Sequence, residues 1–182
     1  MAAKTETGKG QAEVNIKKER TGSPSSQARL RKNWIYTFDV CIVSGPITEK
    51  FAKKNPVLSR TIQIRGDQTL EDLHNAIFDA FDREEEHMYE FQIGGKRPMD
   101  PNARRYTLGG EADDPGEAST GAVSDTTLDS LGLKVKQTFG YWFDFGDDWW
   151  HQINVVAVED QAVRPKHTGV IKRVGHSPPQ YV

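Results

Sequence analysis

The sequence predicts an α+β domain. Its expected form is a mixed β-sheet packed on one main helix, β-grasp-like in the order of its elements, with an aromatic hairpin towards the C-terminal end. Three observations predict it. Aromatic and β-branched residues crowd residues 34–43, and apolar residues alternate with polar ones near 60–66 and 88–93. One run, Leu70, Leu73, Ile77, Ala80 and Phe81, repeats at helical spacing. Two alternating aromatic runs meet at Gly146-Asp147-Asp148, a sequence that turns the chain back on itself.

The elements follow in order. Residues 1–33 carry eight Lys/Arg against three Asp/Glu and no apolar periodicity, which predicts a disordered basic tail. Order begins at Trp34, where aromatic and β-branched residues predict a mostly buried strand ended by Ser44-Gly45-Pro46. Ile62 and Ile64 alternate with polar neighbours in a second, half-buried strand. Thr69 is placed to cap the helix that follows, with Asp72 three residues on. That helix stops near Arg83, and Tyr89, Phe91 and Ile93 share one side of a third strand. Residues 97–124, with Asp113, Asp114 and Glu117, read as a long acidic loop. A short helix near Thr126–Leu131 brings the chain back. The hairpin occupies residues 139–158, and residues 159–182 form a C-terminal extension with a short strand at Val170–Val174.

The chain of 182 residues fits one domain, here 34–158, flanked by tails. Its net charge of −2 conceals an asymmetry. Residues 34–158 hold 12 Lys/Arg against 21 Asp/Glu, and residues 159–182 hold four against two. An acidic body argues against a duplex-binding face, because phosphate neutralisation supplies most non-specific affinity. Weak nucleic-acid contact is assigned instead to the basic residues 1–33. Cys41 is the single cysteine, so no internal disulfide forms. No run reaches the roughly 20 apolar residues that span a bilayer, and no apolar segment precedes Trp34. The expected setting is cytoplasmic, with no membrane contact.

The hairpin is the segment that carries chemistry. Asp144, Asp147, Asp148 and His151 are oxygen and imidazole donors within eight positions, and such a set suits a divalent metal ion. A metal on Asp144, Asp147 and His151 would activate water for hydrolysis. The other reading is structural. Aspartates in such turns bond their own backbone. His151 shares an alternating face with Trp149, Ile153 and Val155, an inward face on which Asp144 or Asp147 would orient its ring. Trp142, Trp149 and Trp150 supply a stacking or interface surface. His74, on the helix, and His87, before the third strand, would strengthen the metal reading only by converging on His151. No Walker loop, nucleophile elbow, H-E-x-x-H or G-x-G-x-x-G pattern is present.

The stretch Tyr141-x-Phe143-Asp144-Phe145-Gly146-Asp147-x-Trp149-x-His151 resembles the signature hairpin of the plasmid pRiA4b ORF-3-like family. Thr69-Leu70-x-x-Leu73-His74-x-x-Ile77, followed by His87-x-Tyr89-x-Phe91, resembles it too. The ending from Lys172 to Tyr181 is similar to one subgroup, where other relatives end in a Cys- and Pro-rich segment. The resemblance covers about residues 34–181. It implies a fold and no particular activity. Some relatives bear a resolvase label, but no serine here lies in an Arg-rich recombinase pattern. The expected function is a non-catalytic interaction module that holds a protein partner, with no cofactor. Its binding residues are Asp144, Asp147, Asp148, Trp149 and His151. The alternatives are a metal-dependent hydrolase or nuclease on Asp144, Asp147 and His151, and a nucleic-acid accessory protein acting through its tails.

Overall fold

Strand-forming residues at Trp34–Ser44 build β1, the long strand against which the rest of the sheet is registered. The computed structural model describes residues 34–109, 119–160 and 168–181. After β1 come α1 (Glu49–Lys54), β2 (Ser59–Arg65), α2 (Leu70–Ala80), β3 (Tyr89–Ile93), β4 (Arg104–Thr107) and β5 (Ser119–Ala122). A single 3₁₀ turn at Asp129–Leu131 precedes β6 (Thr138–Phe143), β7 (Trp149–Asp160) and β8 (Gly169–Val174). The strands form one eight-stranded sheet in the order β5-β4-β3-β6-β7-β1-β2-β8. Every pairing is antiparallel except β4 with β5.

This corrects the expected α+β arrangement of five or so strands on one main helix, and with it the β-grasp-like order. Among the described residues the sheet dominates, and helix is limited to the six residues of α1, the 11 of α2 and the 3₁₀ turn at Asp129–Leu131. The physical reason lies in the added strands. β4 (RRYT) and β5 (STGA) carry few apolar residues, so no period-two pattern marks them inside the segment read as an acidic loop, while β8 (GVIKRV) forms where a short strand is expected at Val170–Val174 and extends the sheet beyond β2. They are held by ladder hydrogen bonds to β3, β4 and β2. The helix α1 is too short to display a period and buries no side chain. The disordered tail expected at 1–33, and Asp113, Asp114 and Glu117, lie outside the described residues.

Local chemistry places α2 as the sequence predicts. Thr69 accepts from the Asp72 N–H while the Asp72 carboxylate accepts from the Thr69 N–H, a complete capping box. Leu70, Leu73, Ile77 and Ala80 then face the sheet, where Phe38, Ile62, Phe91, Phe139 and Ile153 complete one core. At its other end the helix closes by a Schellman motif: Asp82 N–H donates to Asp79 O and Arg83 N–H to Phe78 O. Asp82 takes the left-handed conformation this requires, at φ 53°. The reversal turns Arg83 back into the protein.

The C-terminal residues are fastened to this end of α2. Arg60, 1% exposed, donates to the carbonyls of Ala80, Ser59, Val174 and Gly175 and to Ser177 Oγ. Its charge is buried, but its donors are engaged, which is the condition for burying a guanidinium. Further on, Gln180 Oε1 accepts from the N–H groups of Glu84 and Glu85, and its amide donates to Glu85 O. Among the described residues no helix is long and apolar enough to cross a membrane.

Candidate functional site

The hairpin forms as expected, Phe143 opposite Trp149 and Tyr141 opposite His151. Its turn starts earlier than the expected Gly146-Asp147-Asp148, at Asp144, which leaves the strand after Phe143. This residue sits at φ 55° and its carbonyl accepts from the N–H groups of Asp147 and Asp148. Its Oδ1 accepts from Gly146 and Asp147 N–H at 3.2 and 3.3 Å. Asp144 is buried, and its Oδ2 lies 3.6 Å from His87 Nε2. The carboxylate thus organises the turn backbone, the role aspartate commonly plays in such loops. Asp148 is exposed and accepts from Trp142 Nε1 at 3.1 Å, and Asp147 is half-buried.

The aromatic residues divide between the two sheet faces. Trp142 and Trp150 stack at 4.7 Å with Phe145 against Trp142, on the face away from α2. Trp149 points the other way and is fully buried, so the three tryptophans do not share a surface. A Cβ added to Gly45 would lie 2.3 Å from the Trp149 ring, so only glycine allows this close approach.

His151 is inward, as predicted, and 1% exposed. The expected hydrogen bond to Asp144 or Asp147 is not formed, and neither ring nitrogen has a partner. The reason is register. The imidazole lies two residues into β7, between the Tyr141 ring at 5.1 Å and the Phe81 ring at 5.4 Å, while Asp144 is held at the turn beside His87. Burial pushes its pKa down to about 3, and the neighbouring Arg83 charge adds to the effect. Backbone groups of Tyr141 and Trp149 act in the opposite sense without reversing it.

Nor do the three histidines converge as a ligand set. His74 is stacked on Tyr89 at 3.7 Å, with Nδ1 against Tyr141 Oη at 2.7 Å and Nε2 against Glu86 Oε2 at 3.0 Å. Burial lowers its pKa and raises that of Tyr141, so the neutral phenol donates to Nδ1 and Nε2–H donates to Glu86. His87 bonds Tyr181 Oη at 2.8 Å. Among the described residues no group of three His, Cys, Asp or Glu side chains is disposed to hold a metal ion.

What the structure adds is Arg83. Its guanidinium lies 3.7 Å from the centre of the Trp149 ring, a cation–π stack. The residue is 8% exposed, and both terminal nitrogens are buried without a partner. The other buried, unpartnered side-chain atoms among the described residues are Trp149 Nε1 and the two ring nitrogens of His151. Five nitrogens on three adjoining side chains therefore make no complete hydrogen bond, four of them as donors and one as the unprotonated ring nitrogen of a neutral His151, which feels only a weak pull from the Tyr141 and Trp149 backbones. Burial lowers the Arg83 pKa to about 10 despite the attraction of Asp144. A lone arginine after a helix, followed by three glutamates, reads as a surface charge. Only the Schellman reversal reveals it as interior.

The family model described as Plasmid pRiA4b ORF-3-like protein matches residues 48–182. The chain belongs to that family. The match includes the helix, the third strand and the signature hairpin on which the resemblance rests. A crystal structure of a protein of unknown function, MM3350 from Methanosarcina mazei Go1, superposes with a TM-score of 0.59 at 22% identity. The superposition covers 78% of this chain and 70% of that one, and it speaks for a shared fold. No curated protein matches the chain.

Proposed function

We propose that the family domain in this chain is a non-catalytic interaction module, one that holds a partner without transforming it. The observation that supports this reading best is the state of the signature residues. Asp144 is engaged by the turn backbone, and His151 is a buried imidazole with a pKa near 3. An imidazole so weakly basic is a poor general base at neutral pH, where catalysis favours a pKa near the working value. Most of the unengaged atoms are nitrogen donors, namely the two terminal nitrogens of Arg83, Trp149 Nε1–H and one ring N–H of His151, and such a set suits recognition of an acceptor.

Melting the protein in EDTA, Mg²⁺, Mn²⁺ and Zn²⁺ tests the reading. The expected result is the same midpoint in all four. A ligand that binds the native state alone raises stability by RT ln(1 + [L]/Kd). A saturable rise with one ion, lost in His151→Gln, would replace the module with the metal-dependent hydrolase.

A further inference from the structure

We infer that Arg83, Trp149 and His151 form a binding site for a carboxylate. The inference rests on the module reading and names the chemistry of what the module holds. The geometry carries it. With its guanidinium carbon 3.7 Å from the centre of the Trp149 ring, Arg83 has both terminal nitrogens buried without a hydrogen-bond partner, and together they form the fork that pairs with two coplanar oxygens. Trp149 Nε1–H and one ring N–H of His151 supply further donors. The contrast with Arg60 is direct: that arginine is also buried but is engaged by four carbonyls and a hydroxyl. A guanidinium that serves only the fold is satisfied in this way, and Arg83 is not.

The charge selects among anions. One guanidinium stands against a neutral His151, with Asp144 already nearby. Because Asp144 already offsets part of that charge, a monoanion leaves less excess negative charge in a desolvated site than a phosphate dianion would. The residues around Arg83 are bonded to the C-terminal segment, Asp82 to Ser177 and Glu84 and Glu85 to Gln180. The position of Arg83 is thus set on both sides by side-chain hydrogen bonds.

Such a carboxylate belongs either to a small free acid or to a peptide, and one experiment separates the sources. The full chain is titrated at constant ionic strength with acetate, with acetyl-glycylglycine as its free acid, with the C-terminal amide of that peptide, and with inorganic phosphate. Binding is read by calorimetry and melting. Saturable binding of acetate or the free-acid peptide, but not of the amide or phosphate, is expected. A tighter free-acid peptide marks a chain terminus as the source, and equal affinities mark a small acid. Arg83→Met should weaken binding by about 10- to 100-fold, the loss that follows removal of a charged hydrogen-bond partner. Arg83→Lys, which keeps charge without the fork, and Trp149→Phe, which keeps a ring without the N–H, should each weaken it several-fold. Absence of saturable carboxylate binding, or binding unchanged in Arg83→Met, overturns the site. That failure is distinct from failure of the module reading, which shows as a His151-dependent rise with a divalent ion.

Discussion

Replacing Trp149 with alanine is expected to lower the unfolding free energy by about 3–5 kcal/mol, the usual cost of deleting a buried aromatic side chain. Trp149 is 0% exposed, closes against the Gly45 backbone and carries the Arg83 guanidinium on its ring. Alanine therefore opens a cavity and also strips a buried cation of its neighbour. Trp149→Phe retains most of the packing and should cost less than half as much. Urea denaturation of the three proteins decides it. A loss below about 1 kcal/mol in the alanine variant would contradict the placement of this side chain in the core.

Acid is expected to have an effect of similar size, acting through His151. In the native state its pKa is held near 3 by burial first and by the Arg83 charge second. In the unfolded chain a histidine titrates near 6.5. Between those values the unfolded state binds a proton that the native state refuses, so stability falls as pH falls. The contribution is complete above about pH 6.5 and is lost progressively towards pH 3. The linkage slope is about 1.4 kcal/mol per unit, or about 2 kcal/mol between pH 7 and 5. His74, also lowered by burial, acts in the same direction. Chemical denaturation at a series of pH values should give this slope in wild type and a shallower one in His151→Gln. An identical slope in both would remove His151 from the account.

What was legible in the sequence follows where the physics is local. The Thr69–Asp72 capping box, the apolar face of α2 and the alternation of Tyr141 and Phe143 against Trp149 and His151 depend on neighbours a few residues away. Each was read from spacing alone. The strands β4 and β5 were not legible and β8 was legible as a strand but not in its place at the sheet edge, because position in a sheet comes from backbone pairing with partners distant in the chain. β8, for example, completes its ladder on β2 over more than a hundred residues of sequence. The site divides in the same way. The turn role of Asp144 was hidden, because this residue continues the strand alternation and the turn was read at Gly146-Asp147-Asp148, whereas the inward face of His151 was visible. The direction of Arg83 was not, since it depends on a left-handed residue at Asp82 and on a tail that returns to Glu84 and Glu85. The expected bond between His151 and an aspartate failed because alternation gives the face of a residue and not its neighbours along the strand.

The most direct test of the central claim, that Arg83 is buried for recognition and not for the fold, is the stability of Arg83→Met without any added ligand. Methionine keeps an unbranched apolar stem that packs on Trp149 and removes a charge whose desolvation outweighs the attraction of Asp144. Replacing a buried, unsatisfied charge by a hydrophobic side chain is often stabilising, and a function-bearing residue commonly sits at a cost to stability. The account predicts that the unfolding free energy of Arg83→Met exceeds that of wild type by about 1 kcal/mol or more in urea denaturation at neutral pH. A fall of the same size would mean that the guanidinium holds the fold together, and would contradict the account.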